Sequence, residues 1–346
     1  MFCSREKGWR RFVLGLLVCA ALFQVSCRDE KSRAKRPIDF VPSEADVIAV
    51  VDYKGFISSD VLRRVFDISQ VERTLLTVGI SSENILGLAG FAKINLPALV
   101  GGVRGPSEES PGEFGIIVQG KGGFGPVFIA LSESGWAHRE YEGKSFWVMP
   151  EEKMAVASVG SDMLTVGTPA AVRQVIDVAV GKAPRAMSPG ADSDCGMFLR
   201  RIGISGQINI AISFSKEMKM AARDVSGSAG IFGGMTGANI FGQLFDLLGT
   251  GQGIALSFTG AKNVIASRLV FAVRDAGSAK LIAGLVRVAK IVIPRIGDLG
   301  QIEGAAEMVR GLHVHAENNL VLIGFKIPET ILTPAPCGQS GYREHK

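Results

Sequence analysis

Histidine and cysteine are scarce in this chain, with four His and five Cys among 346 residues. No two cysteines form a Cys-x-x-Cys pair, and no Cys/His cluster has the spacing that holds a structural zinc ion or a dithiol redox centre. No glycine run ends in the Gly-Lys-Ser/Thr of a phosphate-binding P-loop. The stretch Gly203-Ile204-Ser205-Gly206 falls one residue short of the Gly-x-Ser-x-Gly nucleophile elbow. Gly120-Lys121-Gly122-Gly123-Phe124-Gly125 follows a strand-like run but lacks the full dinucleotide fingerprint, so it reads as a strand-to-helix loop. The uncharged apolar stretch Phe12–Phe23 is about 18 Å long as a helix, short of the roughly 30 Å hydrocarbon core of a bilayer.

What is present begins with charge. The formal net charge is +5, but residues 1–26 carry +3 and residues 27–37 another +3, leaving −1 for residues 38–346. The body is neutral, with scattered charges and no basic stripe to displace counterions from a phosphate backbone, which excludes nucleic acid as the expected partner. At 47% apolar residues the chain can bury one large core or two ordinary ones.

The clearest signal is the first 27 residues. Arg5-Glu6-Lys7-Gly8-Trp9-Arg10-Arg11 forms a basic head, Phe12–Phe23 an apolar middle, and Gln24-Val25-Ser26-Cys27 the end, after which the chain turns polar. A small residue followed by Cys resembles the lipobox of bacterial lipoproteins, although Gln24 stands where that family usually has Leu, Val or Ile. The resemblance implies cleavage before Cys27, acylation of its thiol, and export to the cell envelope on the periplasmic or extracellular face. Residues 1–26 are thus expected to be a signal peptide, and residues 27–44 the lipidated Cys and a polar tether. An ordinary signal peptide cut near Ser26 and an uncleaved anchor are the other two readings of the same residues. Cys195 and Cys337 would remain in the mature body, as a disulfide or as two thiols.

Strand-like runs occur at 46–52, 88–94, 113–119, 145–149, 154–159, 163–167, 207–214, 253–259, 264–273, 312–317 and 320–327. Thr168-Pro169 and Gly181 bracket a helix with Val172, Val175, Ile176 and Ala179 as its stripe. Asp275 caps another, with Leu281 or Ile282, Leu285, Val288 and Val292 in line. The expected fold class is α+β: two similar β-α-β-β-α-β-β halves, residues 45–182 and 206–332, with antiparallel sheets and helices packed on one face. Residues 183–205, with Pro184, Pro189 and two aspartates, read as a linker, and 333–346 as a tail. The pattern resembles duplicated α+β domains of exported bacterial proteins.

The most ligand-like constellation is His313-Val314-His315-Ala316-Glu317, which places two imidazoles and a carboxylate on one face of a strand. A turn at Asn318-Asn319 would pair Glu317 with Leu320, His315 with Leu322 and His313 with Gly324. Val314, Ala316, Val321, Ile323 and Phe325 then face the core and the histidines face outward. The pairs Glu108-Glu109 and Glu151-Glu152 sit in turns. The Gly230–Gly237 cluster, in a stretch whose one charge between 225 and 249 is Asp246, reads as a loop leading into a core helix, or else as a close-packing helix. The functional expectation is a lipid-anchored envelope protein with a structural or interaction role, no cofactor, and lipid attachment at Cys27. Its partners are the membrane, through the anchor, and a protein or an apolar ligand. A carrier of an apolar ligand or lipid is the alternative, and a metal-dependent hydrolase using His313, His315 and Glu317 the remote one.

Overall fold

The computed structural model describes residues 36–65, 76, 80–94, 112–151, 153–188, 193–215, 219, 251–292 and 305–328. Strand β1 (Val47–Val51) is apolar at every position, and all five residues are buried. A strand with one wet face alternates; one that never alternates must be covered on both faces. β1 lies at the centre of a twelve-stranded sheet, where neighbouring strands take up both its edges. It pairs antiparallel with β2 (Ile85–Ile94) on one side and β8 (Ile208–Ser213) on the other.

The remaining strands are β3 (Gly112–Gly120), β4 (Ala137–Tyr141), β5 (Lys144–Val148), β6 (Ala155–Gly160), β7 (Met163–Gly167), β9 (Gly251–Ala261), β10 (Val264–Val273), β11 (His313–Glu317) and β12 (Leu320–Pro328). The helices are α1 (Tyr53–Ile57), α2 (Asp60–Val65), α3 (Gly125–Glu133), α4 (Pro169–Val180), α5 (Asp194–Ile202), α6 (Ala276–Val292) and α7 (Ala305–Arg310). Outward from the centre one wing runs β1-β2-β3-β7-β6-β5-β4 and the other β8-β9-β10-β12-β11. Both wings set three successive strands side by side and then bring the chain back so that a later strand lies against the third: β7, the last of the meander β4–β7, against β3, and β12, the second strand of a hairpin, against β10. The two wings meet at the β1–β8 ladder and form one continuous sheet.

The fold is α+β with an antiparallel sheet, as expected. The helices, expected on one face, cover both. A Cβ added at Gly253 of β9 would strike Phe198 of α5, and one at Gly260 would meet Ser59 and Leu62 beside α2. Seven residues apart with no register break between them, these positions point to opposite faces. The ladders place α4 with α5, because Gly115 faces Ala171 of α4 and is on the same side as Gly253. Helix α6 lies on the face of α2, packed over Phe271, whose ladder partner is Ile254. Two-sided coverage is what an all-apolar central strand requires.

Three elements differ from the sequence reading. The tether ends early: Ile38, Phe40 and Val41 are buried, and the Ala186 N–H donates to the Val41 carbonyl at 2.9 Å. The stretch read as a linker holds α5, capped by the Ser193 hydroxyl accepting from the Gly196 N–H, with Cys195, Phe198, Leu199 and Ile202 buried. Their spacing is one helix face, and the Pro and Asp residues before them are the turn that starts it. Strand β4 was not expected because Ala-His-Arg-Glu-Tyr is polar and almost wholly exposed. Its turn, Glu142-Gly143, has two positive φ angles (51° and 67°), the geometry of tight hairpins.

Candidate functional site

β11 is an edge of the sheet, and its register is the one the turn at Asn318-Asn319 implies: His313 opposite Gly324, His315 opposite Leu322, Glu317 opposite Leu320. His313, His315 and Glu317 are exposed, while Val314 and Ala316 turn inward and pack on the cluster beneath α6. Same-face neighbours on a strand lie roughly 7 Å apart along the chain, and among the described residues no group of three His, Cys, Asp or Glu converges on a point.

Cys195 is the described thiol. It is fully buried, its Sγ–H donates to the Asp46 carbonyl oxygen at 3.1 Å, and burial pushes its pKa far above the ordinary thiol value. A group held protonated in this way is a packing element rather than a nucleophile. Gly203 has φ +73° at the end of α5, and a Cβ on Gly206 would collide with the Ser257 hydroxyl. The Gly203–Gly206 stretch therefore reverses the chain into β8. Gly122 and Gly123, with φ +79° and +78°, turn the chain from β3 into α3. His138 lies 4.9 Å from the Trp147 ring, which stacks on Phe128 of α3 at 4.4 Å. Glu151 lies in an exposed turn. Cys27, Cys337, Glu108, Glu109, Glu152 and the Gly230–Gly237 cluster lie outside the described residues.

The largest departure from sequence reasoning is on α6. Asp275 caps it as expected: its carboxylate accepts from the Ser278 N–H and hydroxyl, both at 2.8 Å, and these bonds hold its pKa below the ordinary aspartate value. Of the stripe expected from sequence, Leu281 or Ile282 with Leu285, Val288 and Val292, only the alternative Ile282 is buried; Leu285 and Val288 face outward with Leu281 and with Ile291, which the expected stripe did not include. Leu281 is 60% exposed, Leu285 46%, Val288 57% and Ile291 58%. The face that packs on the sheet is the smaller one of Ala279, Ile282, Ala283 and Val286. The helix is apolar nearly all round, which is itself a sequence signal for a helix covered on both sides. Its ionisable residues are Lys280, Arg287 and Lys290, with no acid among its seventeen residues. Among the described residues no helix is long and apolar enough to cross a membrane.

No family model matches this chain, and no curated protein matches it. Its arrangement is similar to that of TP0453 in crystal forms III, IV and I, at 13% identity in each case. The TM-scores are 0.46, 0.44 and 0.44; the matches cover 87%, 86% and 87% of this chain and 97%, 94% and 96% of the other. At that identity and score the likeness carries no statement about activity.

Proposed function

We propose that this chain is an exported, lipid-anchored cell-envelope protein in which the Cys27 thiol is acylated and the body acts by non-catalytic interaction. The observation that carries this reading is the leader: a basic head, twelve uncharged residues and Val25-Ser26-Cys27 before an abrupt polar run. Two or three acyl chains at one cysteine anchor stably, at about 0.8 kcal/mol per buried methylene, where one chain binds reversibly. The early end of the tether fits this role. Nine residues separate Cys27 from the packed turn that begins at Pro37, a reach of at most about 36 Å, so the body would stay beside the bilayer.

The test is the intact mass of the protein from the membrane fraction. It should show Cys27 as the first residue, carrying fatty acyl groups, and Cys27→Ser should move the protein out of that fraction or leave it unprocessed. A mature protein beginning elsewhere and free of acyl groups would overturn the reading.

A further inference from the structure

We propose that the outer face of α6 docks on an anionic bilayer surface, as a second membrane contact that does not require the acyl anchor. Leu281, Leu285, Val288 and Ile291 recur at intervals of four, three and three, so they form one stripe along the helix. All four are exposed. Single exposed apolar residues are ordinary, whereas a contiguous row with a polar border marks an interaction surface.

The border identifies the occupant. Lys280 and Arg287, seven residues apart and both exposed, share one flank of the stripe. Lys290 ties the helix down by donating to the Leu312 carbonyl at 2.8 Å. With no acid on α6, and with the one acid of the neighbouring α7, Glu307, on the same short helix as the cation Arg310, the face is apolar with a cationic edge. This is the pattern of helices that lie in the headgroup region of anionic lipid. A second copy of the same face would bring like charges together.

The helix suits lying flat. Seventeen residues span about 25 Å, and its inner face is held on Phe271, Val273 and Val321, so the stripe can enter the interface without α6 leaving the sheet. Asp275, the acid nearest its start, is occupied in capping.

Local hydrogen exchange on the full chain reads this contact separately from the anchor. The protein is placed with vesicles of phosphatidylcholine alone, with vesicles containing 30% phosphatidylglycerol, and in buffer. Amides of residues 281–291 should exchange about tenfold more slowly on the anionic vesicles than in the other two conditions. The difference should vanish in Leu285→Asp/Val288→Asp and shrink in Lys280→Glu/Arg287→Glu. Unchanged protection of β1 and β10 would show that the variants fold. Cys27→Ser should leave the protection on anionic vesicles in place even where it abolishes anchoring. Equal protection on neutral and anionic vesicles, protection already complete in buffer, or none in any condition would each overturn the proposal. Protection complete in buffer would identify another part of the chain, or a second copy, as the cover.

Discussion

The ring of Phe198 occupies the space that a side chain on Gly253 would need: a Cβ there would lie 2.0 Å from the ring's Cε2 and 2.5 Å from the Ile212 carbonyl oxygen. Helix α5 packs on the sheet centre through this bare patch of backbone. The glycine is therefore a matter of volume. Gly253→Ala should lower stability by about 1–3 kcal/mol, the usual cost of overpacking a filled core. Phe198→Leu should recover part of that loss in the double variant. Urea unfolding of the two single variants and the double gives the coupling directly, and strict additivity would show that the ring yields freely.

The Cys195 thiol should be unreactive in the folded protein. Buried and held protonated well above the ordinary thiol range, it presents almost no thiolate at pH 8. Iodoacetamide followed by peptide mass mapping should leave Cys195 unmodified in native conditions and alkylate it fully in denaturant. Rapid native labelling would show that α5 opens from the sheet.

The cap of α6 should confer a pH dependence. Bonds from Ser278 lower the Asp275 pKa in the folded state, so its contribution is complete above the unfolded value of about 3.9 and is lost as pH falls through the depressed folded value. The stability difference between the parent and Asp275→Ala should be constant near neutral pH and shrink below about pH 4. A difference that grew on acidification would mean that the carboxylate is not the capping group.

His313, His315 and Glu317 should be dispensable for folding and indifferent to metal. Each is exposed on an edge strand, and substitutions at such positions usually change stability by no more than about 0.5 kcal/mol. The melting temperature of the His313→Ala/His315→Ala/Glu317→Gln variant should match that of the parent, with and without one equivalent of zinc. A zinc-dependent rise confined to the parent would revive the metal reading.

Much of the architecture was legible because local rules and global fold agree. Thr168, Pro169 and Gly181 bracket α4 as written: the Thr168 hydroxyl accepts from the Ala171 N–H, and Gly181 has φ +83°. The alternation of residues 313–327 and its two-residue turn set both register and facing. At the candidate His/Glu site this was enough to place the side chains outward.

The stretches 183–205 and 137–141 were less legible for different reasons. In the first, turn residues masked the period of a short helix; in the second, a polar edge strand has no buried face to generate a pattern.

By itself the sequence determined the charge and hydropathy pattern of its first 27 residues, the neutral body, most strands and the apolar stripes, because charge, period and turn chemistry are properties of neighbouring residues. Only the tertiary structure decided that the two wings share one sheet and that helices cover both its faces. It also decided which side of α6 turns inward. That helix offers two apolar sides, and the sheet beneath it, crowded by Phe271, admits the alanine-rich one; the larger side chains are left facing out. A choice between two hydrophobic faces depends on the shape of the surface they meet, which no local pattern contains.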